Sequence, residues 1–168
     1  TTVTADTTFP SWSSNKTFPA SSATYSPTQT YQFNITWTDN IALNTTYFEH
    51  NFTGTPANYS PTGFVGNSTN REYYYNYSAL AAGAYYWKSW ANDTSNNWNS
   101  TLAFEYAVNK AASSINLLLN GADANITINQ YTVANITSSL LTPISGYIEI
   151  YQNGILINSG QSPLTNLT

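Results

Sequence analysis

Apolar side chains recur at every second position along much of this 168-residue chain and almost nowhere at helical spacing. Side chains alternate between two faces only on extended backbone, so the pattern commits the chain to half-buried β-strands. Gly, Pro, Asn and Asp punctuate the runs and mark turns. The alternation predicts strands over 30–38, 46–53, 71–78, 84–92 and 100–108. Residues 1–29 carry Pro10, Pro19 and Pro27, which predicts an extended, edge-like arm with breaks, because proline offers no N–H to a sheet interior. Residues 54–70 read as a loop holding at most one short strand. A second block follows Asn109-Lys110, with strands over 113–119, 124–128, 131–138 and 146–152, then Asn153-Gly154 as a type I′ turn into 155–158. Short strands at this spacing imply an all-β chain of two tandem β-sandwiches, 1–109 and 110–168. A sandwich takes about 100 residues. The second is therefore expected to be incomplete here, either cut from a longer chain or completed by a neighbouring subunit.

Composition removes whole classes of function. Charged residues are 7% of the chain, against roughly 25% in ordinary soluble domains. Four cations and a net charge of −4 build no basic patch for nucleic acid or anionic lipid. Zero Cys excludes disulfides and thiolate metal sites, and one His excludes the usual zinc sites and most triad chemistry. The start, TTVTAD, carries no leader-like run, and no stretch approaches the ~18 apolar residues that span a bilayer. The chain reads as a mature product or a fragment whose surface polarity comes from amides and hydroxyls.

Those amides fall in a motif. Asn-x-Ser/Thr occurs at Asn15, Asn34, Asn44, Asn51, Asn58, Asn67, Asn76, Asn92, Asn99, Asn125, Asn135 and Asn166. Twelve sequons stand against about six expected by chance from 22 Asn and this Ser/Thr content. Strand phase supplies a second test. Tyr31, Phe33, Ile35 and Trp37 share one phase and Asn34 takes the other, and the same opposition holds for Asn51, Asn76, Asn92 and Asn99 in their strands. All five are expected to face outward. Asn125 opposes Ile126 and Ile128, whereas Asn135 shares the phase of Val133. Used sequons imply export across a membrane and attached sugars that replace surface charge. The competing account is an unmodified polar surface in an Asn/Thr-rich chain.

The segment from Leu80 through Gly83, Tyr85 and Ala91 to Asp93 and Asn96 (LAAGAYYWKSWANDTSN) resembles the late strands of immunoglobulin-like, fibronectin type III-like and PKD-like extracellular repeats. Asp6-Thr-Thr-Phe-Pro10 and Trp37-Thr-Asp39-Asn40 look like the first strand and the following corner of such modules, and 115–160 resembles the first half of another. The resemblance implies tandem immunoglobulin-like β-sandwiches of a structural, non-catalytic glycoprotein, extracellular and on the cell surface. Such proteins are common in archaea, as subunits of filaments, threads or surface layers. It also admits an adhesin or carbohydrate-binding module, or an inert stalk. Gly83 permits the sharp turn, and Tyr85, or Tyr86 if the phase is shifted, is expected to return its hydroxyl to upstream backbone; the alternative is that Tyr85 is plain core filler. Self-association by strand donation would run from the arm, residues 1–20, into the open edge of 110–168 of a neighbour.

Three further groups are candidates. Tyr47, Tyr86 and Trp90, with Glu49, Lys88 and Glu105, should gather on one outer face, either as a contact platform or as ordinary strand residues. Asp6, Asp39 and Asp93 fall at corners of one pole of the sandwich. They either bind calcium, assisted by Asn40 and Asn96, or form Asx turns. His50 lies on the apolar phase between Phe48 and Phe52, as a partly buried structural residue. Glu49, Glu72, Glu105 and Glu149 are scattered over separate strands, so no enzyme and no further cofactor is expected.

Overall fold

The computed structural model describes residues 5–143 and 146–167, all strands and irregular segments. It divides into two compact units, Thr1–Ala111 and Ala112–Thr168. In the first unit β1 (Ser11–Phe18), β3 (Thr30–Thr38), β7 (Asn70–Ser78) and β6 (Gly63–Gly66) form one sheet in the order β1-β3-β7-β6. The second sheet runs β2 (Ala23–Thr24), β10 (Phe104–Asn109), β8 (Gly83–Asp93), β4 (Leu43–His50) and β5 (Ala57–Tyr59), with β9 (Trp98–Ser100) on the far half of β8. Every pairing is antiparallel except β2 with β10. Lettered in chain order, this is A-B-E-D on one side and A′-G-F-C-C′ on the other, the strand order of an immunoglobulin-like sandwich.

Alternation along β3 builds the core. Tyr31, Phe33, Ile35 and Trp37 are all buried, and they meet Phe48, Trp87, Tyr106 and Val108 from the opposite sheet. Phe33 lies 5.0 Å from Tyr106 and 5.6 Å from Trp87, both edge-on. Each such ring stabilises by roughly 1.5–3 kcal/mol through area alone, and edge-to-face pairing adds to this. Several polar tips inside the core find partners, while the buried Tyr31 hydroxyl has none among the described residues. The Trp37 indole donates to Ser89 Oγ at 3.0 Å, Ser89 Oγ donates to the Tyr47 carbonyl, and the Tyr106 hydroxyl donates to the Pro19 carbonyl.

The arm is edge-like, as its prolines predict. It is no free extension: β1 forms an edge of one sheet and β2 an edge of the other. Residues 1–4 of the predicted donor segment lie outside the described residues. The expected loop over 54–70 holds two short strands. Tyr59 of β5 pairs with Phe48, and Gly63 of β6 faces Tyr74, whose ring lies where a side chain at Gly63 would sit. Tyr74 is bulky because it covers an edge glycine. Tyr85 closes the corner as anticipated, its hydroxyl donating to the Ala81 carbonyl at 2.9 Å.

The second unit has β11 (Ser114–Leu119), β12 (Asn135–Thr142) and β15 (Leu164–Leu167) in one sheet, and β13 (Tyr147–Gln152) with β14 (Ile155–Gln161) in another. Asn153 and Gly154 both take positive φ, as the type I′ turn demands. The order reproduces β1-β3-β7 and β4-β5 of the first unit; among the described residues nothing corresponds to β8 and β10. The predicted strand over 124–128 is absent there. Ile126 and Ile128 alternate correctly, but no neighbouring strand bonds them, and alternation without a partner makes no strand. The strand predicted over 131–138 starts only at Asn135, because Tyr131 turns the chain through positive φ. Ala134, Ile148 and Ile150 are its buried apolar residues, while Ile115, Leu117, Tyr147 and Ile155 stay exposed.

Replacing Tyr85 by Phe removes only the corner hydrogen bond. The first unit should keep its fold and lose about 1 kcal/mol in urea unfolding; an unchanged midpoint would show that the hydroxyl contributes nothing.

Candidate functional site

Three chain segments meet at one pole of the first unit. Asp6 precedes β1, Asp39 follows β3, and Asp93 ends β8. One carboxylate oxygen from each lies within 4.8 Å of the others. Each aspartate also shapes its own turn. Asp39 Oδ1 accepts from the N–H groups of Ile41 and Ala42, Asp93 Oδ1 from those of Ser95 and Asn97, and Asp6 Oδ1 from Thr8. Asx turns and convergence are therefore compatible, because a carboxylate has two oxygens. Asp93 is fully buried and its Oδ2 accepts from Asn97 Nδ2 at 2.7 Å. The Oδ2 atoms of Asp6 and Asp39 are screened from water and accept no bond. The Thr8 N–H holds the Asp6 carboxyl below its usual range.

Sequence reasoning missed Asn97. Its amide ties Asp93 to the Asp6 carbonyl at 3.0 Å. Asn40 donates to Asp6 as expected of a helper, whereas Asn96 turns elsewhere, accepting from Asn92 and from the Trp98 indole. Among the described residues no Lys, Arg or His forms an ion pair with these aspartates; the ion pair Lys88–Glu49 lies elsewhere, on the outer face of a sheet.

That outer face is the second site. Lys88 sits 3.1 Å from Glu49 and 4.5 Å over the Trp90 ring, and the Trp90 indole donates to Glu49. Tyr47, opposite Trp90, stacks parallel on Trp98 at 6.1 Å. Trp98 had no signal in the strand pattern, because it lies in a three-residue strand after a turn. Tyr86 does not join this group. Four residues along one strand from Trp90, about 13 Å away, it lines an open cleft of ≈ 390 Å³ with Asn51, Ser21 and Glu105. Glu105 stands opposite Tyr86, so Lys88 has one carboxylate partner and not two.

The sequons divide by exposure. Asn15, Asn44, Asn58, Asn67 and Asn125 are exposed, and Asn51, Asn76, Asn99, Asn135 and Asn166 are half-buried. Asn34 and Asn92 are buried, at 7% and 4%, which corrects their expected outward exposure. Period two puts Asn34 on the outer face, but the cross-strand row places it between Lys16 and Tyr74, and its Nδ2 donates to Glu72. Asn92 sits beside a β4 irregularity; its Oδ1 accepts from the Thr45 N–H and its Nδ2 donates to Asn96. Asn99 Nδ2 is also engaged, by the Pro10 carbonyl. Asn51 uses only its oxygen, accepting from the Tyr86 N–H.

Comparisons with known proteins add little. No protein-family model matches the chain, and no curated protein matches it in sequence. A solved structure of Clostridium thermocellum CbhA fibronectin(III)-like modules is similar over 88% of this chain and 75% of that one, at 14% identity and a TM-score of 0.32. The sandwich assignment rests on the strand order described above. Among the described residues no helix is long and apolar enough to cross a membrane.

His50 is fully buried, deeper than expected, and lies 4.0 Å from Phe52 and 4.1 Å from Tyr59 in parallel stacks. Its Nδ1 accepts from the Phe52 N–H, and its Nε2 is buried without a partner. Burial lowers its pKa from 6.5 to about 4. Between those values the unfolded chain binds the extra proton, so His50 favours folding fully above about 6.5 and progressively less as pH falls toward about 4. Urea midpoints should decline over that window in the native protein and decline less in His50→Gln; identical slopes would remove His50 as the cause.

Proposed function

We propose that this chain is a non-catalytic, N-glycosylated structural module of an extracellular protein, a subunit of a filament, thread or surface layer on an archaeal cell. The observation that carries the reading is the set of sequon asparagines presented to solvent on a sandwich nearly devoid of charge. Sugars there supply the solubility that Lys and Glu give other proteins. The lone histidine is walled in by rings, which leaves it unsuited to acid–base work. Self-association belongs to the second unit, whose sheets expose apolar side chains, with a strand of a neighbouring subunit as the addition. The N-terminal arm is a poor donor, since β1 and β2 are committed to their own sandwich. An inert stalk role differs only in what the chain is joined to.

An adhesin or carbohydrate-binding role for Tyr47, Tyr86 and Trp90 is weaker. Sugar stacking needs free ring faces, and Lys88 covers Trp90 while Trp98 covers Tyr47. Site-resolved mass spectrometry of native material tests the leading reading. Hexose-bearing peptides are expected at Asn15, Asn44, Asn58, Asn67 and Asn125, with Asn34 and Asn92 bare. A native mass equal to the bare 18.5 kDa would sink it.

Calcium at the acidic pole is a second proposal, favoured by two carboxylate oxygens shielded from water and left unbonded. Oxygen ligands from three segments suit a hard cation. Bound Ca²⁺ would tie the N-terminal segment to the β3 and β8 corners. Calcium at a hundredfold excess over its dissociation constant should add about 2.7 kcal/mol. The melting temperature is expected to rise with Ca²⁺ over EDTA in the native chain and not in Asp39→Asn, which keeps the turn acceptor but loses the charge. Equal melting in both buffers would end the proposal.

A further inference from the structure

The sheets of the first sandwich end on four strands, β1, β6, β2 and β5, with β9 a further short edge on the far half of β8, and β2 is only two residues long. Exposed edges invite strands from other molecules, and proteins usually defend them with charge. Here Lys16 of β1 is the single charged residue on all four edge strands. β6 is the most vulnerable, with Phe64 and Val65 at 51% and 63% exposure. Such an edge should aggregate unless something covers it.

Exposed sequons stand at the three longer edges. Asn15 lies in β1, at the irregularity between Ser13 and Lys16 where pairing to β3 slips. Asn58 is the central residue of β5, and Asn67 directly follows β6. The buried sequons, Asn34 and Asn92, belong to β3 and β8 inside the sheets. Asn67 is oriented for modification. Its Oδ1 accepts from the N–H and hydroxyl of Thr69, the sequon's own threonine, and from the Asn70 N–H, at 3.0, 3.1 and 2.9 Å. With the oxygen turned inward, the planar amide directs Nδ2 away from those donors. The side chains of Asn15 and Asn58 make no hydrogen bond among the described residues.

Resting on the glycosylation reading above, we propose that sugars at Asn15, Asn58 and Asn67 act as edge guards, closing the three long edges of the first sandwich to strand addition. Attachment forms a bond from Nδ2 to a sugar C1 with loss of one amide proton. It breaks the C1–O bond to a lipid-linked phosphate donor, which leaves as the lipid phosphate. A docking strand must approach within about 4.8 Å, and a sugar on or beside the edge occupies that space. The guards do the work of the missing edge lysines.

The test uses the full chain made in its glycosylating host. Peptide mass spectrometry of the native chain comes first. Sugars absent everywhere would overturn the glycosylation reading itself; sugars present elsewhere but missing from these three sites would overturn the edge-guard inference alone. Asn15→Gln/Asn58→Gln/Asn67→Gln is then compared with Asn44→Gln/Asn125→Gln by size exclusion and thioflavin binding. The triple variant is expected to lose its monomer peak to β-rich oligomers while the double variant matches wild type. A third variant, Asn15→Lys/Asn58→Lys/Asn67→Lys, also lacks the sugars but restores charge, and should remain monomeric. A monomeric Gln triple, or a Lys triple that associates as strongly as the Gln triple, would overturn the proposal.

Discussion

Four inward side chains of β3 organise the first unit. Tyr31, Phe33, Ile35 and Trp37 present one continuous apolar wall, and the opposite sheet has only one register that sets Trp87, Phe48 and Tyr106 against it. A slip of one residue in β3 would turn Gln32, Asn34 and Thr36 into the core instead. The same wall positions the edges. Ser89 must stay small and polar because it receives the Trp37 indole, and this pins the middle of β8. Everything on β8, from the tyrosine corner to the aspartate at the pole, follows from that registration.

Much of this was readable from residue order. Period two located β3, β4, β7 and β8, and of the strand expected over 100–108 only the second half, as β10, with Leu102 exposed outside any strand; the Asn-Gly pair located the β13–β14 turn, because both signals are local. Convergence of Asp6, Asp39 and Asp93 was also foreseeable, since corners of a sandwich fall at defined poles once the strand order is assumed. What failed was what depends on neighbours. Strands β5 and β6 have too few residues to show a period, and they exist because Phe48 of β4 and Tyr74 of β7 receive them. The strand expected over 124–128 had the pattern without the partner. Asn34 had the correct face, yet its flanking side chains were invisible to a one-strand reading. Trp98 and Asn97 sit in a turn and a three-residue strand, where alternation carries no information.

The asparagines are not one population. Some satisfy the backbone, as Asn92 does for Thr45 and Asn51 for Tyr86. Others serve no internal bond and stand at edges. An identical three-residue motif therefore occurs in two settings, buried with its amide engaged in the fold or exposed to solvent. A side-chain nitrogen already donating inside the protein is unavailable to a sugar, whatever the motif says.

The N-terminal segment crosses from one sheet to the other, and its second contact has a consequence for tension. β2 runs parallel to β10, the last strand of the same unit, through Ala23 with Val108 and Thr24 with Asn109. Tyr25 N–H to the Asn109 carbonyl, Ala107 N–H to Ser21 Oγ, and Asn109 Nδ2 to Ser22 Oγ extend the seam. When a chain built this way is pulled by its two ends, the parallel strands slide against each other. The bonds between them then share the force together instead of opening one after another, as a hairpin would.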